Sequence, residues 1–548
     1  MSDQSAISVS PSITRPPRSA LHLWPWLAAA SSGLLLAFCF APWNLGPLCW
    51  IALTPLICAV WFSRPTKRDG LRKALLGYVT GIVFFTATFY WLGTLGILFG
   101  EFWLRGLSLL LALYMGLYLS FWAWFISRLH DGVSRFTHSS GNIATALLGA
   151  SAWVAHEWVR GWLFSGFGWN GLGVALHKDL AMIQIVDITG VWGLSFLVTF
   201  CNLMGVIIVR RLLAEIGPIF LKRIRWEFSF TMALIAAVFA YGVRTLMHGN
   251  AAEPATTVRV GMIQPNTKQT EKWSADSENR IFERLDLLTT AVALSKPDLI
   301  VWPEASTPRG MFADETNYSF IMKQVEQGDF SLLIGTVDTD IDRREDYNVA
   351  TLLNTHGTQL QTHKKMHLVP FGEYLPLRTA FPLFAMVAGE LVPSDFTPGR
   401  QFTVLTLPKP AIKFSALICF EDTLGDLTRQ FVLNGAQLLV NITNDGWFLE
   451  TAGAEQHLHN ALFRAVENRR PLLRCANTGV TCSIDRFGRV DRWYEPFREE
   501  VQPAREIRVP INTAHTFYGR HGDWLAIGAS LVTGLNIAGA ALRRRYAA

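Results

Sequence analysis

Two regimes of hydrophobic patterning divide the chain. Uninterrupted apolar windows occur near 23–40, 47–62, 75–100, 102–127, 143–164, 180–209 and 228–247, and an eighth occurs at 524–542. A bilayer core about 30 Å thick needs about 20 helical residues to cross it, so these windows predict seven spans followed by a late eighth. The first two are short enough to form a single re-entrant hairpin instead. A polar tail precedes the first window and further spans follow it, which excludes a cleavable signal peptide.

Between the seventh and eighth windows the period changes. Apolar β-branched runs at Val258–Ile263, Leu299–Trp302, Ser331–Thr336, Ile412–Ile418 and Ala436–Ile442 predict buried strands. Amphipathic stretches at Ser277–Leu294 and Ala454–Arg469 predict helices, and paired runs with Gly turns near 345–362 and 472–494 predict antiparallel neighbours. The expected fold is a polytopic α-helical membrane bundle of about eight spans carrying an α/β domain with a mixed sheet. Its divisions are a mobile tail (1–20), a transmembrane domain of about seven helices (21–250), the α/β domain (251–520), and a last span with a basic tail (521–548).

Composition agrees. Half the residues are hydrophobic and 17% are charged, against about 25% charged in soluble proteins. With 36 Phe and 20 Trp the chain is not disordered. Residues 1–250 hold 18 basic and 9 acidic side chains, and the remainder holds 31 and 34. A nucleic-acid binder would concentrate its cations on the folded domain. If the N-terminus is cytoplasmic, inside segments carry 17 Lys and Arg, against four near the outer face: Arg105, Arg160, Lys178 and Arg244. The positive-inside bias then places 251–520 outside the cytoplasm.

Two residues in that domain sit where α/β folds place chemistry, at the C-terminal ends of strands. Cys419 ends the run Ile412–Ile418, and Glu304 ends Leu299–Pro303, where apolar neighbours would suit it as a base. Lys365 precedes His367-Leu368-Val369-Pro370-Phe371-Gly372-Glu373 and would serve as an oxyanion donor. Each has an ordinary alternative: a structural core thiol, a solvated capping acid, and a basic turn shared with Lys364.

Taken in order, this Glu, Lys and Cys resemble the Glu-Lys-Cys triad of the nitrilase superfamily, and Thr443–Trp447 (TNDGW) and Arg464–Arg470 (RAVENRR) resemble its flanking strand and helix. The resemblance implies an α-β-β-α sandwich that forms acyl-enzymes on Cys419. Such a domain between a seventh and an eighth span, with WVAHEWVR at Trp153–Arg160, GFGWNGLG at Gly166–Gly173, and Gln264-Pro265-Asn266 leading to Trp273, resembles the apolipoprotein N-acyltransferase family. Gly168 stands where that family usually has Pro.

The resemblance implies a two-step transfer in a bacterial inner membrane, with the catalytic domain on the periplasmic side. Glu304 takes the thiol proton, and Cys419 attacks a phospholipid ester, typically of phosphatidylethanolamine. Lys365 and the Phe420 N–H hold the oxyanion. The thioester then passes its acyl chain to the α-amine of a diacylglyceryl-cysteine apolipoprotein. No metal or organic cofactor is implied, and a monomer is expected.

Trp273, Glu373, Phe420 and Glu421 are expected to orient the triad or to bind substrate, with Glu373 and Glu421 holding Lys365 and the thiol. The apolar segment holding Phe381, Leu383 and Phe384 is an expected lid over the outer leaflet, or else part of the domain core. His457 and His459 fall on opposite sides of a helix and do not form a metal pattern. Cys475 and Cys482 either pair across a Gly479 hairpin or stay as core thiols. His156, Glu157 and Arg160, inside a span, are a functional-site candidate or a helix-packing ion cluster. A membrane-tethered amidase with the same triad and a non-catalytic lipoprotein-binding scaffold are the rival readings.

Overall fold

The computed structural model describes residues 20–132, 138–214, 220–249, 255–272, 274–311, 314–326, 328–376, 378, 395–498, 500–511 and 514–547. The expected tail up to residue 19, Trp273, and the segment with Phe381, Leu383 and Phe384 lie outside the described residues.

Each apolar window of the sequence forms helix, but not always one straight helix. Among the described residues, Phe102–Leu129, Trp192–Leu213, Trp226–His248 and Trp524–Arg543 are long and apolar enough to cross a membrane. A fifth is Asp69–Thr88 with Tyr90–Leu98, bent by 54°. Leu23–Phe38, Gly46–Phe62 and Leu180–Thr189 are shorter apolar helices. The window at 180–209 breaks where Gly190 takes a left-handed φ of 64°, so that two short turns precede the long helix Trp192–Ala214. Ser139–Arg160 is continuous over 22 residues, yet it buries Asn142, Thr145, Ser151, His156, Glu157 and Arg160 and is less apolar than the others.

Among the described residues the second half holds twelve strands in two six-stranded sheets. One contains β1 (Ala255–Met262), β2 (Leu299–Val301), β3 (Ser331–Asp340), β4 (Glu345–Leu353), β5 (Gln359–Lys364) and β12 (Arg505–Pro510), ordered β12-β1-β2-β3-β4-β5. The other contains β6 (Val404–Leu407), β7 (Ile412–Ile418), β8 (Leu438–Thr443), β9 (Leu472–Ala476), β10 (Cys482–Ile484) and β11 (Val490–Arg492), ordered β11-β10-β9-β8-β7-β6. Each sheet has a parallel centre, β1-β2-β3 or β7-β8-β9, with antiparallel flanks.

Alternation along the strands sorts side chains into layers. Val258, Val260, Met262, Leu299, Val301 and Leu333 of one sheet share a buried cluster with Phe414, Ala416, Ile418, Leu438, Val440, Ile442 and Leu473 of the other. The intervening residues Ile300, Trp302, Leu332 and Ile334 pack instead against Ile281, Leu285, Leu288 and Val292 of the helix Glu278–Ala293 and against Ile321 and Val325 of Glu315–Glu326. On the far side, Leu439, Leu472 and Ile484 join the helix Gly453–Asn468, and that cluster is continuous with the membrane half. Cys475 faces the inner cluster while Cys482 belongs to the outer one, and both are free thiols.

Helix Gly453–Asn468 is therefore a buried seam. Gln456 accepts from the Trp91 and Trp169 indoles (3.0 and 3.1 Å) and donates to the Ala41 and Thr88 carbonyls (2.7 and 3.0 Å). Asn460 bonds Asn170, the Glu467 carboxylate accepts from the Val191 N–H, and Arg469 pairs with Asp187 at 2.7 Å. Buried polar groups must be satisfied, so these bonds fix one docking position.

Candidate active site

The ends of β2, β5 and β7 converge. Trp302, anchored to Thr289 through its indole (3.1 Å), leads through Pro303 to Glu304. This turn lies directly on β3: a Cβ at Gly335 would stand 2.5 Å from the Pro303 carbonyl and 2.7 Å from the Glu304 Cα. Only glycine permits that approach. Lys365 follows β5, and its backbone N–H donates to the Asn348 carbonyl at 2.8 Å.

One polar cluster joins these elements. The Lys365 ammonium lies 2.9 Å from Glu373 and 3.5 Å from Glu304. Asn348 donates to both carboxylates, at 2.7 Å to Glu304 and 2.9 Å to Glu373, and all four side chains are buried. Burial alone would lower the Lys365 ammonium; Glu373 and Glu304, with Cys419, outweigh it and hold Lys365 well above the usual lysine range. It stays charged. Lys364 points elsewhere, over the Tyr347 ring at 3.3 Å.

Cys419 closes the site. It has a φ of 52°, in the left-handed region that a side chain disfavours and that costs about 1–3 kcal/mol. Asn441 donates to its carbonyl at 3.0 Å, holding the turn Cys419–Thr423. Burial, then the Glu304 charge, pushes the thiol well up, against the pull of Lys365. The resting group is a thiol within electrostatic reach of a carboxylate and a fixed cation.

The two expected supporting acids act differently. Glu373 pairs with Lys365 and accepts from the Val369 N–H at 2.8 Å. Glu421 turns from the thiol: it accepts from Ile418 N–H (2.8 Å) and from Met366 and His367 N–H (2.7 and 3.1 Å), clasping the chain after Lys365 to the strand before Cys419. Burial would raise its carboxyl, but His363, the Ile418 N–H and Lys365 hold it below the ordinary range.

Several residues of the site were not expected from sequence. Asn348 carries a signal in retrospect, a buried amide at an inner-facing position of β4 otherwise filled by Ala350 and Leu352. Lys272 donates to the Glu304 carbonyl at 3.0 Å, and burial lowers it to about 8. Behind Cys419, His457 lies between Asp422 (2.9 Å) and Asp445 (2.8 Å), and Arg474 pairs with both acids, all of them buried. His459 points away from this cluster, stacked on His177. Among the described residues no group of three His, Cys, Asp or Glu is arranged to hold a metal.

The membrane half reaches the site through Gly166–Gly173. Phe167 and Trp169 lie nearly parallel to Phe420, with centroids 6.1 and 6.0 Å away. His156, Glu157 and Arg160 lie on the helix preceding this loop and are buried. Glu157 accepts from the Trp153 indole (2.8 Å) and the Leu172 N–H (2.7 Å), so within the bundle it fastens the loop that carries the stack.

Two sheets with a cysteine and paired acids at their strand ends are the features of a carbon-nitrogen hydrolase unit, and residues 259–534 match the profile of that family. Residues 32–204 match the apolipoprotein N-acyltransferase N-terminal domain. An apolipoprotein N-acyltransferase of Geobacter metallireducens is 35% identical, covering 93% of this chain and 95% of the relative. One of Methylococcus capsulatus is 32% identical over 92% and 93%, and one of Rickettsia bellii 30% over 85% and 88%. The chain belongs to the apolipoprotein N-acyltransferase family.

Proposed function

We propose that this membrane protein transfers an acyl chain from a phospholipid, in the first instance phosphatidylethanolamine, to the α-amine of the N-terminal diacylglyceryl-cysteine of apolipoproteins, through a thioester on Cys419. The observation that supports this most is the buried Lys365 ammonium between Glu304 and Glu373, beside a thiol in a left-handed turn.

In the first half-reaction Glu304 accepts the thiol proton as sulfur attacks the ester carbonyl. The oxyanion draws on the Lys365 charge and the Phe420 N–H, donors already in place before charge develops. The tetrahedral intermediate expels the glycerol oxygen, which takes the proton from Glu304 and leaves as lysophospholipid. In the second half the acceptor amine attacks the thioester, Glu304 removes its proton, and the thiolate departs and is reprotonated. Glu373 and Asn348 keep Lys365 and Glu304 aligned through both halves.

In this reading eight segments cross the inner membrane, both termini are cytoplasmic, and 251–520 faces the periplasm. The loop charge bias supports that orientation. The acceptor step provides the test. Isolated acyl-enzyme should persist in buffer and be discharged quickly by a diacylglyceryl-cysteinyl peptide with a free α-amine, but not by the same peptide acetylated. Fast hydrolysis with no gain from the peptide would favour an amidase.

A further inference from the structure

On the face of helix Gly453–Asn468 turned from Cys419, a groove of about 620 Å³ opens at the seam between the two halves. Leu458, His459 and Leu462 of the helix form its floor; His177, Lys178 and Leu180 of the membrane half form one wall, and Gly488–Arg492 the other. At about 100° per residue, His459 lies some 200° around the helix from His457, so this groove is separate from the acyl-transfer site.

Its chemistry is two-sided. The His177 and His459 rings stack at 3.6 Å. Burial lowers both, His177 to about 4, so the pair is neutral at ordinary pH. His177 Nδ1 lies 3.2 Å from the Val174 carbonyl and donates to it. Its Nε2 is therefore a lone-pair acceptor, and it is buried without a partner. On the rim, Lys178 is exposed and has no ion-pair partner among the described residues. Arg489 and Arg492 are each 43% exposed: Arg489 pairs with Asp485 and lies over the Phe487 ring at 5.4 Å, and Arg492 makes a two-pronged pair with Glu455 at 2.7 and 2.8 Å. The single exposed Arg489–Asp485 pair is worth little. Among the described lining residues Asp491 is the one carboxylate, and Glu455 beside the groove reaches both Arg492 and, at 3.6 Å, His459 Nε2.

We propose that this groove binds the headgroup of a membrane phospholipid: its phosphate on Lys178, Arg489 and Arg492, and a headgroup N–H or O–H on His177 Nε2. Guanidinium forks suit phosphate, the volume is that of a small-ligand pocket, and the long apolar helix Trp226–His248 ends beside the groove, where Arg486 donates to the Gly249 carbonyl. An ethanolamine or glycerol headgroup supplies the donor His177 lacks. Choline, whose nitrogen carries no hydrogen, does not.

The test uses full-length protein with Cys419→Ala, so that no lipid is consumed and the result is independent of the triad. The protein is equilibrated with phosphatidylethanolamine or phosphatidylcholine in detergent, and retained lipid is counted by native mass spectrometry. Phosphatidylethanolamine should be retained, and adding Lys178→Glu with Arg489→Glu should weaken that retention by at least about tenfold, or 1.4 kcal/mol. Should the charge reversals disturb folding, the Lys178→Gln/Arg489→Gln pair is to be read in their place. Equal retention in parent and variant, or equal retention of phosphatidylcholine, would overturn the proposal.

Discussion

Phe420, the residue after Cys419, lies parallel to Phe167 of the membrane half, with ring planes 2° apart and centroids 6.1 Å apart. The backbone N–H assigned to the oxyanion thus belongs to a residue whose ring is held by a membrane loop. An aromatic pair contributes about 0.5–1.5 kcal/mol beyond burial. Phe167→Leu should therefore slow thioester formation up to about tenfold while the protein stays folded, as stopped-flow release of lysophospholipid and a thermal melt would show. An unchanged rate would mean that the stack only docks the two halves.

Glu304 and Lys365 have separable roles. With the thiol pushed up by burial and by Glu304, little thiolate exists near neutrality without a base. Glu304→Gln removes both the base and a charge that raises the thiol. The variant should be slow at pH 7 and recover as pH rises and the thiol ionises unaided. Lys365→Arg should fail throughout, because a guanidinium aims its donors differently. Lys364→Ala should retain most activity, since that ammonium faces Tyr347. A rate profile from pH 6 to 10 for each variant checks this.

His457 predicts a pH dependence of stability. Burial and Arg474 oppose its protonation, but Asp422 and Asp445 prevail and raise it above 6.5. A group raised by folding stabilises fully below its unfolded value, and that contribution is lost as pH rises through the folded value. Stability should thus decline from about pH 6.5 upward, by at most about 1.4 kcal/mol per pH unit. His457→Gln should flatten the decline while lowering overall stability, because two buried carboxylates lose a partner. Thermal midpoints across that range would show both effects.

The strands were legible because they are apolar, β-branched runs: Ile412–Ile418 has the same limits in sequence and structure. The one-residue shift of Ser277–Leu294 to Glu278–Ala293 is only fraying at the ends. Glu304 and Cys419 were legible because each ends an apolar run, and Lys365 because it precedes the motif His367–Glu373. Asn348 was not, because its importance comes from partners 44 and 25 residues away. His457 looked like half of a His-x-His pair, while its partners Asp422, Asp445 and Arg474 lie on three other elements. Broken helices also escaped notice. Apolar composition continues through Phe89, where the chain bends, and hydropathy does not register a dihedral angle.

The most direct test of the central claim is intact-protein mass spectrometry after incubation with phosphatidylethanolamine of defined acyl chains. The account predicts a gain of one acyl group, released by hydroxylamine, mapped to the peptide containing Cys419 and absent from Cys419→Ala. An acyl group on another residue, or turnover to triacylated lipopeptide by the Cys419→Ala protein, would contradict it.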